Sequence, residues 1–302
     1  MTLTEVRRLL AELGLRPSKA LGQNFLIDGN ILQIILREAD VRRDETVLEI
    51  GPGLGMLTET LVDCAKHVTA IEKDPRLAEY VREKFPGVEL IEGDAVELLH
   101  PSSLIPHPFC KVVANLPYSI STPILERFVE GDLKPRRMVV TLQREVAQRL
   151  AAKPRHKDYG ALTLFTQLHY HCTVAHIVSP TCFYPSPHVE SAVVVLDRRD
   201  PRVKLKAGAP FHEIVRAGFG QRRKMLRKLL VNAVAAFGPS AVASAKGDER
   251  GPGGKHGEPR LASAATTAAR VDAAFAAAGV SSTARAEELS LDQWITLANE
   301  LR

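Results

Sequence analysis

From Thr46 onward, apolar runs with the two-residue repeat of a strand alternate with stretches whose apolar positions return every three or four residues. TVLEIG (46–51) precedes a glycine turn and the helix-like MLTETLVDCA. HVTAIEKD leads into PRLAEYVREKF, where Pro75 suits a first helical turn. VELIEGD follows, then CKVVANLPY before the helix-like STPILERFVE, then RRMVVTLQ before REVAQRLAA, and finally ESAVVVLDRR. This alternation predicts an α/β fold with a mostly parallel sheet and helices on both faces. Ligands of such sheets bind beyond the carboxyl ends of the strands. Ahead of this region, MTLTEVRRLLAELGL reads as an amphipathic helix.

After about Arg199 the strand pattern stops and helical stretches dominate. The chain is therefore expected to divide into an α/β domain over residues 1–204 and a smaller, all-helical domain over 205–302. Within the second, residues 237–270 are rich in Ala, Gly, Ser and Pro and read as a flexible insert. Order is expected to return in RAEELSLDQWITLANEL, where Leu289, Trp294, Ile295 and Leu297 can face a core.

Composition narrows the classes. The 302 residues are 45% hydrophobic and 25% charged, as in an ordinary globular protein. No apolar run approaches a membrane span and the N-terminus lacks the apolar centre of a signal peptide, so a cytoplasmic location is expected. Four scattered cysteines form no C-x-x-C pair, which argues against a zinc ribbon or a disulfide framework. HYHC (169–172) reads as a helix end passing into a strand, and no metal is expected. The net charge of +5 suits a polyanionic partner. Its placement says more: RAGFGQRRKMLRKLL (216–230) carries Arg222, Arg223, Lys224, Arg227 and Lys228 without an acid.

Candidate chemistry gathers at the predicted strand ends. Gly51, Gly53 and Gly55 lie between a strand and a helix, where glycine permits a tight turn and close approach to a ligand. The spacing is one residue shorter than a dinucleotide fingerprint. Glu72 ends the second predicted strand, where a carboxylate can accept from both ribose hydroxyls. Asp94 ends the third and can accept from an adenine amino group. Helix capping is the plainer alternative for both acids. The ordered set suits a nucleoside ligand without a pyrophosphate, such as S-adenosylmethionine.

Asn115-Leu116-Pro117-Tyr118 ends the fourth predicted strand at the same edge. The Asn115 side-chain oxygen and the Leu116 carbonyl can accept both protons of an exocyclic adenine amine. Pro117 fixes φ and donates nothing. The Tyr118 ring can stack on the base, worth roughly 1–3 kcal/mol. Two acceptors favour a pyramidal nitrogen whose lone pair points at a methyl donor.

Through these residues the chain resembles the small-subunit rRNA adenine N6,N6-dimethyltransferases. The resemblance runs through RPSKALGQNFLID, LEIGPGLGMLT, AIEKD, EGDA, NLPYSISTPIL, QREVAQRL, YGALTLFTQ, FYPSPHVESAVV and GFGQRRKMLRKLL. It implies a Rossmann-like, S-adenosylmethionine-dependent methyltransferase sheet with a C-terminal helical domain. It also implies that Gln23, Asn24 and Leu26 line the cofactor pocket, with Gly51 and Gly53 at the methionine part, Glu72 at the ribose, Asp94 at the adenine, and Asn115 touching cofactor and target. Phe183 would stack on the target adenine opposite Tyr118. The implied reaction dimethylates two adjacent adenosines near the 3′ end of 16S rRNA in an assembling 30S subunit, with the enzyme acting as a monomer. The basic segment 221–228, read as a helix, would contact RNA phosphates. A 23S rRNA adenine methyltransferase, a DNA adenine methyltransferase and a non-enzymatic assembly factor are the competing readings.

Overall fold

The computed structural model describes residues 1–18, 21–99, 109–237 and 264–302. In chain order its elements are α1 (Leu3–Glu12), β1 (Phe25–Leu26), α2 (Gly29–Ala39), β2 (Thr46–Ile50), α3 (Met56–Cys64), β3 (His67–Glu72), α4 (Pro75–Lys84), β4 (Glu89–Glu92), α5 (Ala95–Leu98) and β5 (Lys111–Asn115). There follow α6 (Ser121–Glu130), β6 (Arg137–Gln143), α7 (Arg144–Ala151), α8 (Ala161–His169), β7 (Tyr170–Val178), β8 (Phe183–Tyr184) and β9 (Ser191–Arg198). The last helices are α9 (Phe211–Gly220), α10 (Leu226–Phe237), α11 (Ala264–Ala277) and α12 (Leu291–Glu300). The chain forms two units, Met1–Ala151 with His169–Arg199, and Ala152–Leu168 with Asp200–Arg302.

The first unit is built on a seven-stranded sheet in the order β4-β3-β2-β5-β6-β9-β7. The first five strands are parallel, and β9 and β7 join antiparallel. Residues of both parities are buried along the central strands: Val47, Val113 and Val139 on one face, Leu48, Val112 and Met138 on the other. Side chains alternate along a strand, so both faces are covered, as the near-continuous apolar runs predict. On one face α2, α3 and α4 supply Ile31, Ile35, Leu57, Leu61 and Val81 to a shared core. The amphipathic α1 begins at a capping box between Thr2 and Glu5 and packs Val6 and Leu10 against Leu54 and Leu77. Lys111, a charge in a buried strand, is 2% exposed and pairs with Glu45 at 2.8 Å.

The second unit holds no strand among its described residues. Its core gathers around Trp294, which stacks on Phe219 with ring centroids 5.8 Å apart. Leu289, Trp294, Ile295 and Leu297 are all buried, as the spacing predicts. The boundary differs from the expected one, because residues 152–168 belong here although they interrupt the first unit in sequence. Tyr159 is fully buried and donates its hydroxyl to the Leu289 carbonyl at 2.9 Å, and Phe165 meets Phe211 edge-on. The expected insert at 237–270 lies mostly outside the described residues. Its end does not: residues 264–270 start α11, which turns the buried Thr267 and Val271 toward the core.

The loop after β2 is held by packing as well as by conformation. Gly55 has φ +80°, and a Cβ there would lie 2.3 Å from the buried Phe85 ring. Gly55→Ala is expected to lower stability by more than about 2 kcal/mol, since an unfavourable backbone state adds to a ring displacement. Chemical denaturation measures this directly, and a loss below half that figure would show that Phe85 yields freely.

Candidate active site

Because β2, β3, β4 and β5 run parallel in register, their carboxyl ends share one edge. Gly51 and Gly53 turn there with φ of +69° and +57°, and the Gly51 amide donates to the Ile71 carbonyl at 2.9 Å. Glu72, at the end of β3, is 7% exposed. Its Oε2 accepts from the Gly53 amide at 3.1 Å, and its Oε1 accepts from the Lys73 and Asp74 amides, both at 2.9 Å. Burial pushes the Glu72 carboxyl above its ordinary pKa, opposed by these three donors. Of roughly four lone-pair positions on a carboxylate, one on Oε2 stays open. One further donor has room there without change, and a second requires the Gly53 amide to release its acceptor.

At the end of β5, the Asn115 side-chain amide donates to the Asn24 carbonyl at 2.9 Å. That bond fixes which end of the amide is which, and the Asn115 oxygen stays free to accept. The Asn24 side chain in turn donates to the Gly22 carbonyl at 3.1 Å, and Gln23 accepts from the Ser18 amide at 2.8 Å. Pro117 begins a turn closed by the Ile120 amide at 3.1 Å. Half-buried Tyr118 reaches the Ser191 hydroxyl with its own. Gln23, Asn24, Leu26, Gly51, Gly53, Glu72, Asn115, Leu116, Pro117 and Tyr118 all line one cavity of about 1030 Å³, mouth included. Leu116 as a whole residue is 2% exposed.

Asp94, Phe183 and the basic segment stand apart from this set. Asp94 is not part of the lining. Its Oδ1 caps α5 by accepting from the Val96 amide at 2.8 Å, and its Oδ2 lies 2.7 Å from Lys73 Nζ, which holds its carboxyl below the usual range. Helix capping therefore explains half of Asp94, whereas for Glu72 it explains nothing, since Asp74 caps α4.

Phe183 is not among the residues that line the cavity either. β8 pairs with β1 in the register Phe25↔Tyr184 and Leu26↔Phe183. Paired residues share a face, so Leu26 and Phe183 both join the sheet core, where Phe183 is 2% exposed and Leu26 also borders the cavity, while Phe25 and Tyr184 turn toward α1. Two aromatic neighbours in a two-residue strand give no sign of which one points where.

The basic segment, described within the second unit, is a turn over 221–224 followed by α10, not one helix. Arg222 donates to the carbonyls of Lys157 and Tyr159, and Arg227 forms a two-pronged ion pair with Asp272 at 2.5 and 2.8 Å. Arg223, Lys224 and Lys228 are exposed. No group of three or more metal-ligating side chains occurs among the described residues, and no helix there is long and apolar enough to cross a membrane.

Lys73 and Glu49 line the cavity without having been singled out from the sequence. A carboxylate inside the buried run VLEI was the available signal for Glu49. It is 1% exposed, its Oε2 accepts from the Thr58 hydroxyl at 2.7 Å, and its Oε1 is buried without a partner. Burial lifts its pKa to about 8, with the nearby Glu72 charge acting in the same direction. Between the ordinary value of 4.5 and about 8, the folded chain keeps a proton that the unfolded chain has released. Stability therefore falls as pH rises through that window. Glu49→Gln is expected to flatten this slope, measured as melting temperature from about pH 5 to 8. Parallel curves for the two proteins would show that Glu49 carries no such proton.

Comparison with known proteins places this geometry. The family described as ribosomal RNA adenine dimethylase matches residues 15–240. A ribosomal RNA small subunit methyltransferase A from Opitutus terrae is 42% identical over 255 residues, which cover 80% of this chain and 89% of that protein. Its namesake from Clostridium acetobutylicum is 34% identical over 299 residues, 98% of this chain and 97% of that one. Among solved structures, a dimethyladenosine transferase from Plasmodium falciparum shares the fold with a TM-score of 0.72 at 24% identity, covering 90% of this chain and 95% of that chain. The 23S rRNA methyltransferase ErmE gives 0.63 at 29% identity, covering 92% and 99%. The family match over residues 15–240, with relatives 42% and 34% identical over most of the chain, makes the protein a member of the ribosomal RNA adenine dimethylase family, enzymes that use S-adenosylmethionine as methyl donor.

Proposed function

We propose that the chain dimethylates N6 of two adjacent adenosines near the 3′ end of 16S rRNA, within an assembling 30S subunit, acting as a cytoplasmic monomer. The observation that carries this reading is the Asn115 amide, anchored through its nitrogen to Asn24 so that its oxygen is the group offered to the cavity beside Tyr118. An acceptor there suits an amine target. The small-subunit assignment rests on the curated relatives, whose names specify that subunit and whose identity exceeds that of ErmE.

The cavity suits the methyl donor. Glu72 keeps one lone pair open for a hydroxyl donor, and the buried Glu49 Oε1 has no partner, so Glu49 would become an acceptor for an ammonium on losing its proton. Gly51 and Gly53 add no side chain to the floor, and Leu26, Leu54 and Leu57 supply apolar wall. When bound, S-adenosylmethionine supplies a methyl group already activated by a sulfonium. The protein's own task is then orientation and charge complementarity. The Asn115 oxygen and the Leu116 carbonyl accept from the adenine amine and direct its lone pair, and Tyr118 stacks on the base. The target leaves its stack to reach them. Arg223, Lys224 and Lys228 are the cations free to meet phosphates, while Arg222 and Arg227 shape the unit that carries them.

The decisive assay incubates the protein with labelled S-adenosylmethionine and undermethylated 30S particles, with 50S particles alongside, and maps the modified nucleotides. Label on two adjacent 16S adenosines is expected; label on 23S rRNA alone would replace the small-subunit reading. Glu72→Ala is expected to weaken cofactor binding at least tenfold while RNA affinity holds, since about 1.5–3 kcal/mol attends a hydrogen bond to a charged group. Equal losses in both would remove Glu72 from the cofactor site. Charge reversal at Arg223 and Lys224 is expected to flatten the salt dependence of RNA binding. An unaltered slope places the RNA contact elsewhere.

A further inference from the structure

We propose that Ser191 is a positioning residue for methyl transfer, its hydroxyl holding the Tyr118 ring at the angle at which the target base stacks. This rests on the reading that Tyr118 stacks on that base. Ser191 begins β9, is fully buried, and is flanked in register by Gln143 of β6 and Val178 of β7. The preceding peptide is tied as well, because the Arg144 amide donates to the Glu190 carbonyl at 2.9 Å. A residue with a strand on each side is among the least mobile points of a sheet.

Tyr118 stands differently. It sits in the turn after β5, where its carbonyl accepts from the Ser121 hydroxyl at 3.2 Å. The backbone is fixed at that end, but the two side-chain torsions would still let the ring swing. The bond between the Tyr118 and Ser191 hydroxyls closes the other end. The ring is then held at both ends, with one flank on the cavity. Without Ser191 the half-buried phenol has lost a partner, and the ring is drawn toward water to replace it. Stacking demands a defined plane, and small misplacements are expensive in transfers that rely on orientation. The two residues are 73 positions apart, so nothing local in the sequence links them.

The test is a double-mutant cycle on the full chain, with undermethylated 30S particles as substrate. Ser191→Ala and Tyr118→Phe are each expected to lower kcat about tenfold, with cofactor affinity and melting temperature near those of the parent. Combined, they should lower it no further, because both remove one contact. Additive losses overturn the proposal, as does a loss in Ser191→Ala that tracks its melting temperature. Should Ser191→Ala fail to fold, Tyr118→Phe removes the same contact without touching the sheet, and parental kcat in that variant rejects the proposal. Tyr118→Ala separates the two levels. If it is inactive while Ser191→Ala works normally, only the positioning role falls. If Tyr118→Ala turns over normally, the stacking reading falls and this proposal with it.

Discussion

A carboxylate buried at the end of β3 organises the rim on which everything else depends. Where parallel strands stop, their last amides run out of ladder partners. Glu72 collects three of them, one from the glycine loop after β2 and two from its own turn. That ties two loops into one wall. Burying a charge is costly, and the raised pKa of Glu72 records what the amides do not offset. Glu49 lies close enough to add to that burden, and it keeps its own proton more tightly for the same reason. Two buried acids beside a cavity are stable neighbours only where donors, or a proton, balance them.

The sheet then acts as a ruler. Asn115 leaves β5 beside the glycine loop, and its amide is oriented by the carbonyl of Asn24, which precedes β1. β1 is held by β8, and β8 by the segment running into β9. Asn115, Tyr118 and their supports thus come from four stretches of chain that meet only because the strands are paired. In a reaction whose leaving group is activated before it arrives, such rigidity is most of what a protein can contribute.

In the second unit, charge and structure are less separable than the composition suggests. Arg222 and Arg227 stand in the most basic stretch of the chain, yet carbonyls and Asp272 hold them. Arginine's fork of donors makes it as useful for joining loops as for meeting phosphate. What remains for an anionic partner is a smaller set, exposed on the 221–224 turn and on the first turn of α10.

The order of strands and helices, the glycine turn, Glu72 and the Asn-Leu-Pro-Tyr corner were legible in the chain itself. Their information is local: side-chain periodicity, glycine at positive φ, a proline that cannot donate. The helical character of the region after Arg199 was equally plain. Tertiary structure decided the rest. Residues 152–168 join the second unit through Tyr159 and Phe165, contacts more than a hundred residues distant for Tyr159. Asp94 is claimed by Lys73, Phe183 is turned inward by its pairing with Leu26, and Ser191 meets Tyr118 across the sheet edge. Each of these depends on which segment arrives opposite, and sequence periodicity specifies the face a residue takes within its own element but not the partner that meets it there.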